Sequence, residues 1–334
     1  MIKTVLVTGS AGFIGFHLSE LLLKEGFKVV GIDCITEYYD TKLKEARLEK
    51  LHLFENFIEV RKDITSFNSM KQVFAKYKPY YVIHLAAQAG VRYSIENPKS
   101  YLDSNINGTF NILELIKEFQ IKHTLIASTS SVYGANIDMP FKESQKTENQ
   151  ISFYAATKKA CEILSHSYSH IHNLPITNFR FFTVYGPWGR PDMALFKFVK
   201  GIIENKPIDI FNNGEMKRDF TYVSDLVYAV LLLLKCYPER NKKICLNDSI
   251  SPVAPWRVVN IGNSKVEKLS EFIEEIEFCL GKKAIKNFLP MQPGDVKETF
   301  ADSNLLYKLT DFKPNTKMRK GIKEFCDWYI DYYK

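Results

Sequence analysis

Short apolar runs alternate with amphipathic stretches over the first half of the chain. The runs Thr4–Thr8, Phe27–Ile32, Phe57–Val60, Tyr80–His84, Thr124–Ala127 and Ile176–Phe181 have strand length and are rich in β-branched and aromatic residues. Helical patterns fall between them, near 16–24, 41–51, 66–77, 98–119 and 152–172. This repetition predicts an α/β fold, a Rossmann-type doubly wound parallel sheet covered on both faces. From about Tyr185 the texture changes to loops rich in Gly, Pro and Asn, such as Gly186-Pro187-Trp188-Gly189-Arg190-Pro191 and Asn212-Asn213-Gly214. Residues 183–334 are therefore expected to form mainly a smaller, interwoven α/β lobe on a domain spanning 1–182. Helix Val223–Cys236 and strand Arg257–Ile261 are expected to return to the main sheet. No repeat of solenoid period is visible.

Composition narrows the class without choosing a reaction. A chain of 334 residues, 46% hydrophobic and 25% charged, has enough apolar material for a sizeable core. The net charge of +7 is scattered, with no basic run of the kind that binds nucleic acid or a membrane surface. The six cysteines form no CxxC pair, which suits a reducing compartment and speaks against a disulfide framework or zinc site. His166, His170 and His172 lie together, but no cysteine or acid joins them in that stretch, and they read as a solvated helix face rather than a metal site. The first residues enter a strand directly, and the longest apolar stretch, around Val227–Leu234, is too short to span a bilayer. A cytoplasmic enzyme is expected.

Candidate chemistry begins at the first strand. Thr4–Thr8 breaks into Gly9-Ser10-Ala11-Gly12-Phe13-Ile14-Gly15 and continues as a helix. In that order, Gly9 permits a tight turn, Gly12 lets backbone N–H groups approach a pyrophosphate, and Gly15 allows close helix packing. The spacing is GxxGxxG, and an ordinary strand-to-helix turn is the alternative. Asp33 closes the second run, about 20 residues beyond the glycines, where an acid hydrogen-bonds the adenosine ribose. A carboxylate there repels a 2′-phosphate and favours NAD over NADP; capping of the next turn is its other reading.

Tyr154 and Lys158 stand one helical turn apart, so a phenol and an ammonium share one helix face. A tyrosine of ordinary pKa is a poor base at neutral pH, and nearby cations would favour its phenolate. Such a group can take a proton from an alcohol while hydride leaves for a nicotinamide. A Tyr–Lys pair also arises by chance on exposed helices, and the glycine loop, Asp33 and Thr129 decide for chemistry here.

These residues resemble an extended short-chain dehydrogenase/reductase, and within that group a UDP-glucuronate 4-epimerase, over nearly the whole chain. The resemblance rests on Gly9–Gly15, Asp63-Ile64, His84–Arg92, Ser128–Gly134, Tyr154–Lys158, the long run Arg180–Ala194, Arg218-Asp219-Phe220, Ser251–Arg257 and Gln292-Pro293-Gly294-Asp295-Val296. It implies that Tyr154 takes the sugar 4-hydroxyl proton, that Thr129 shares the hydrogen bond, and that Lys158 holds the nicotinamide ribose and depresses the tyrosine pKa. It further implies that Asp63 and Ile64 contact adenine, that Leu85, Ala86 and Ala87 line the cofactor cleft, and that Asn105 lies beside the active site. On the substrate side, Arg218 would pair with the pyrophosphate, Phe211 would stack on uracil and Asp295 would bind the uridine ribose. Gln292 stands where related UDP-galactose 4-epimerases carry a second phosphate arginine, which leaves that contact open.

A hexuronate adds a constraint, because oxidation at C4 makes a β-keto acid that loses CO₂ when its carboxylate bond aligns with the ketone π-system. Ser130, Ser131 and Thr183 could hold the carboxylate, with Arg190 or Arg92 adding charge, although both arginines could equally stabilise loops. Thr299 is small where a related enzyme has a bulkier residue, so an open sugar pocket is expected. The alternatives are 4-epimerisation of UDP-glucose or UDP-N-acetylglucosamine, decarboxylation of UDP-glucuronate, and a non-catalytic NAD-sensing protein. The resemblance also implies a homodimer through the helices near 98–119 and 152–172.

Overall fold

Strands buried on both faces must be apolar on both alternations, and the fold follows from that requirement. The computed structural model describes residues 2–291 and 296–334. A seven-stranded sheet contains β1 (Thr4–Thr8), β2 (Lys28–Asp33), β3 (Phe57–Arg61), β4 (Tyr81–His84), β5 (His123–Thr129), β6 (Ile176–Phe181) and the strand Trp256–Ile261. All neighbours in it run parallel, in the order Trp256–Ile261, β6, β5, β4, β1, β2, β3. The Rossmann-type sheet is thus present, and the strand at Arg257–Ile261 returns to it as expected.

Each face has its own core. Val5, Val7, Val29, Ile83 and Phe179 belong to one apolar cluster with Leu18, Leu22, Leu226 and Val230 of helices Phe13–Lys24 and Val223–Leu233. Leu6, Val30, Val82, Ile126 and Ile176 join the other with Met70, Phe74, Ile112 and Ile116 of helices Phe67–Tyr77 and Gly108–Glu118. Neighbouring residues of one strand therefore feed opposite layers, as the pleat requires. The strand order reverses between β1 and β4, which opens a crevice at their carboxyl ends, the usual ligand position in open α/β sheets.

Two helices differ from the sequence pattern. The pattern over 98–119 resolves into α-helix Pro98–Tyr101, a π-helical stretch Leu102–Asn107 and α-helix Gly108–Glu118. The extra backbone residue per turn falls where Asn105 turns its amide toward Gln88 and Thr157. The helix read as Val223–Cys236 ends at Leu233.

Beyond β6 the chain forms small sheets that interleave. Thr183–Tyr185 pairs with Phe220–Tyr222, Lys217–Arg218 lies between Glu267–Lys268 and Glu298–Thr299, and Ile208–Phe211 pairs with Lys286–Leu289. Asp219 ties several of these together. Its fully buried carboxylate accepts from the backbone N–H groups of Asn263 (2.7 Å), Ser264 (2.9 Å) and Ala301 (3.1 Å). Burial outweighs those bonds and pushes its pKa up to about 6.

A buried ion pair fixes helix Phe153–His172 on the sheet. Glu162 accepts two hydrogen bonds of 2.8 Å from Arg180 on β6 and one of 2.6 Å from Ser128 on β5. Its pKa is held down at about 2, against the effect of burial, mainly by the Arg180 charge. Removing one partner strands the other charge in a dry interior. Glu162→Ala is expected to lower the unfolding free energy by about 3–5 kcal/mol in a reversible denaturant titration; a loss below about 1 kcal/mol, the range of an exposed pair, would contradict this assignment.

Candidate active site

The glycine loop is built by close backbone approach. Gly9 has φ of +76°, and a Cβ there would lie 2.9 Å from Ala86 N. A Cβ on Gly15 would lie 1.9 Å from Gly9 O, so no side chain fits without moving backbone. The loop leads to the N-terminus of helix Phe13–Lys24, whose first N–H groups have no intrahelical partner and attract an anion. Phe13 is buried and Ile14 half-buried behind this turn.

Asp33 faces the same loop. Its Oδ2 accepts from Ala11 N at 3.1 Å and its Oδ1 from Ile35 N at 2.9 Å. Each carboxylate oxygen keeps lone-pair capacity for a ribose hydroxyl, so shaping the loop and binding a ribose are compatible. The cradle that any Cβ would fill, the helix N-terminus and this acid together fit a dinucleotide. Asp63 is exposed and accepts from Thr65 N at 2.8 Å, while Ile64 is buried against Gly108.

Leu85, Ala86 and Ala87 follow β4 and are half-buried at the crevice. Thr8 Oγ1 accepts from both Leu85 N and Ala86 N at 3.1 Å, which engages both its lone pairs. Its proton must therefore go to His84 Nδ1, 2.7 Å away, and His84 donates from Nε2 to Thr109. Burial, then the Lys158 charge, lower the His84 pKa to about 3, so the ring is neutral. The Asn105 amide clamps the backbone of Gln88 and the hydroxyl of Thr157.

Thr129 ends β5 and caps the 3₁₀ turn Ser130–Tyr133, accepting from Ser131 N at 3.2 Å. Ser152 caps helix Phe153–His172, and buried Ser94 accepts from Tyr154 N at 3.2 Å. Tyr154 is half-buried and Lys158 buried on one helix face, and the Lys158 charge is felt by His84 at the end of β4. Burial raises the Tyr154 pKa above its ordinary value, opposed by a Thr129 hydrogen bond and by the Arg190 charge. Lys158 is buried and its pKa lowered by that burial, opposed by Cys161 and Glu162. The Arg190 charge acts on Tyr154 as well. The dry crevice pushes the phenol and the ammonium alike toward their neutral forms.

Thr183 and Arg190 line one small cavity together with Phe13, Met193 and Ala194. Arg190 is paired with Asp192 through Nε at 3.0 Å, and Tyr38 donates to the same carboxylate at 3.2 Å. Arg92 takes a different place, with its guanidinium 4.2 Å from the centroid of Phe211. Ser130 and Ser131 are half-buried beside Thr129. Arg218 donates to the carbonyls of Lys217 (2.8 Å) and Lys297 (3.1 Å), and Thr299 is buried on the strand alongside it. Gln292 and Asp295 lie outside the described residues.

Sequence reading missed several positioning groups. Buried Arg47 donates to the carbonyls of Ala11 (2.8 Å) and Trp188 (2.6 Å), joining the glycine loop to the loop that carries Arg190. His17 adds a hydrogen bond of 2.8 Å to Pro187 O. Both act through backbone carbonyls, which leave no trace in the sequence, whereas Asp192 lies in the run Arg180–Ala194. In the histidine stretch, exposed His170 bonds Val253 O at 2.7 Å and half-buried His166 bonds Ser251 at 2.9 Å. Among the described residues no cluster of three His, Cys, Asp or Glu side chains could hold a metal ion, and no helix is long and apolar enough to cross a membrane.

The sequence family described as GDP-mannose 4,6 dehydratase matches residues 6–325. The chain belongs to this family. The family placement agrees with the extended short-chain dehydrogenase/reductase resemblance read from the motifs. The protein CapI of Staphylococcus aureus is 50% identical over 332 residues, covering 99% of each chain. A probable UDP-glucuronate 4-epimerase of Rhizobium meliloti is 48% identical over 332 residues, covering 98% of this chain and 97% of its own. The crystal structure of a UDP-glucuronic acid 4-epimerase from Bacillus cereus, in complex with UDP-glucuronic acid and NAD, matches at a TM-score of 0.89 and 34% identity, over 99% of this chain and 100% of that one.

Gly15→Ala tests the cradle directly. The variant is expected to lose tightly retained NAD, measured as dinucleotide released when the purified protein is denatured; an undiminished content would mean that the loop is not the binding element.

Proposed function

We propose that this chain is an isomerase that interconverts UDP-glucuronate and UDP-galacturonate, with NAD as resident cofactor. The reading is supported by Tyr154, on which both a Thr129 hydrogen bond and the Arg190 charge act, with Lys158 one helical turn on and its charge felt by His84 at the end of β4. The two epimerase relatives support the choice of sugar. In the chain's division of labour, residues 1–182 with the returning segments near 223–262 bind NAD, and 183–334 bind mainly the UDP-sugar.

NAD, when bound, accepts hydride from the sugar C4 and returns it to the opposite face. Gly9, Gly12 and Gly15 receive the pyrophosphate, Asp33 the adenosine ribose, and Asp63 and Ile64 the adenine. Tyr154, as its phenolate, takes the 4-hydroxyl proton and becomes the phenol, and Thr129 donates to that phenolate before the transfer. Lys158 adds positive charge beside the nicotinamide ribose, where the dry surroundings make each charge count for more. The resulting 4-keto sugar must turn over while its nucleotide stays held. Arg218 suits the pyrophosphate and Phe211 the uracil, so binding energy is concentrated away from the moving ring. Gln292 and Asp295 are assigned to the nucleotide on the sequence resemblance alone.

The sugar carboxylate needs holding near the carbonyl plane so that CO₂ is not lost. Ser130, Ser131 and Thr183 supply neutral donors. Arg190 is the better candidate for the opposing charge, because it shares a cavity with Thr183 and acts on Tyr154, whereas Arg92 lies against Phe211 on the nucleotide side. The small Thr299 leaves room for the ring to turn.

A homodimer is part of the proposal. Leu102 (45% exposed), Phe110 (46%) and Ile163 (59%) are solvent-facing apolar side chains on the two helices expected to pair. Six free thiols suit a cytoplasmic enzyme, and an activated hexuronate suits polysaccharide-building transferases.

Purified protein incubated with UDP-glucuronate and no added NAD should yield the 4-epimer by proton NMR. Pentose nucleotide with CO₂ would instead identify a decarboxylase, and turnover of UDP-glucose or UDP-N-acetylglucosamine alone would identify a neutral-sugar epimerase. Tyr154→Phe should lower kcat by about 10²–10⁴ while NAD stays bound. Full activity in that variant would refute the assigned base.

Thr129 gives a pH test. Its hydrogen bond lowers the Tyr154 pKa, so Thr129→Val raises it. The ascending limb of the kcat–pH profile should move to higher pH, with the loss greatest at neutral pH and recovering in alkali. A profile superposable on the parent's would remove Thr129 from the proton path.

A further inference from the structure

We infer that Asp192 is a positioning residue that sets how strongly the pocket prefers an acidic sugar over a neutral one, by sharing the Arg190 guanidinium with the substrate carboxylate. This deepens the function proposed above and rests on it.

Arg190 has a fixed base and a held tip. The loop beneath it is tied down by Arg47 at Trp188 O and by His17 at Pro187 O. The guanidinium lies side-on to Asp192, using Nε and Nη2, which is the fork geometry in which arginine reads a carboxylate. Asp192 therefore already occupies the donors that would otherwise meet a sugar carboxylate. Tyr38 moderates this hold, because its hydroxyl donates to the Asp192 oxygen that Arg190 Nη2 also uses. The Tyr38 ring lies 5.9 Å from the Arg190 guanidinium and 4.8 Å from the Tyr93 ring, which keeps the hydroxyl in place.

The consequence is a graded charge. With a neutral hexose in the pocket, Arg190 and Asp192 satisfy each other and no cation is left unbalanced in a partly buried site. With a hexuronate, the carboxylate gains Arg190 but meets the repulsion of Asp192. Asp192 thus limits acid affinity while keeping Arg190 correctly aimed. Asparagine at 192 would retain an acceptor for Arg190 Nε and remove the negative charge, separating aim from balance.

The test uses NAD-loaded protein in a Tyr154→Phe background, so that nucleotides bind without turnover. Isothermal titration with UDP-glucuronate and UDP-glucose gives the ratio of their Kd values. Adding Asp192→Asn should raise the preference for the acid by about tenfold, the scale of one charge-assisted hydrogen bond. Asp192→Glu, which keeps the charge, should leave the ratio within about twofold of the parent. Tyr38→Phe removes the competing donor, strengthens the Asp192 hold and should lower the ratio. It provides an independent arm of opposite sign should Asp192→Asn fail to fold. An unchanged ratio in Asp192→Asn, or in Tyr38→Phe where only that variant folds, overturns the inference. A parent that binds UDP-glucuronate no better than UDP-glucose overturns the carboxylate role of Arg190 and the inference together. Binding of neither nucleotide overturns the proposed function itself.

Discussion

The site depends on how closely three pieces of backbone approach one another at the carboxyl edge of the sheet. Gly9 has no room for a side chain against Ala86, and Gly15 none against Gly9 O. That contact sets the turn after β1 against the end of β4. It also aims the N-terminus of helix Phe13–Lys24 into the crevice where the strand order reverses. Thr8 reinforces the same junction, because its hydroxyl gathers Leu85 N, Ala86 N and His84 into one fully committed network. A neutral His84 is a requirement of that network, since a protonated ring would have no acceptor left for the Thr8 proton.

The reactive side is held by a different means. Tyr154, Lys158 and Glu162 recur at helical spacing on one face, and the buried Glu162 ties that face through Arg180 and Ser128 to β6 and β5. Arg180 also lies over the ring of Tyr133, 4.8 Å from its centroid, and Tyr133 donates to Asn260 at 2.7 Å. The turn that begins at Thr129 is thereby fixed to the strand that returns late in the chain. One ionic network so determines the relative position of the hydroxyl of Thr129 and the phenol of Tyr154. A buried ion pair is a weak source of net stability, but it is demanding about geometry, and geometry is what proton transfer between two side chains needs.

The fold was legible in the sequence because its determinants are local. Doubly buried strands such as Val5-Leu6-Val7 and Tyr81-Val82-Ile83-His84 read as continuous apolar runs. The glycine loop and Asp33 were legible because each glycine answers a contact that excludes a side chain. The π-helical stretch at Leu102–Asn107 was not legible, since the pull on Asn105 comes from Gln88 and Thr157, which are distant in sequence. Arg47 and His17 escaped for the same reason, because each bonds carbonyls that any residue could supply. The electrostatic assignment of Lys158 to Tyr154 followed from helix spacing. Spacing says nothing of Arg190, whose charge acts on the phenol from a loop in the second half of the chain.

That loop makes the pocket's charge balance a property of tertiary structure. Burial opposes ionisation of Tyr154 and of Lys158, so the crevice favours the phenolate only when positive charge is brought close to it. Arg190 is one such charge, and Asp192 offsets it. A substrate carboxylate drawing on Arg190 would weaken the support available to Tyr154, so recognition of the acid and activation of the base compete for the same guanidinium. Placing Asp192 beside Arg190 softens this competition, because the guanidinium is balanced before substrate arrives and its net influence changes less on binding. The neutral donors Ser130, Ser131 and Thr183 complete the logic: they can orient a carboxylate by hydrogen bonds while drawing little on the charge that the phenol needs.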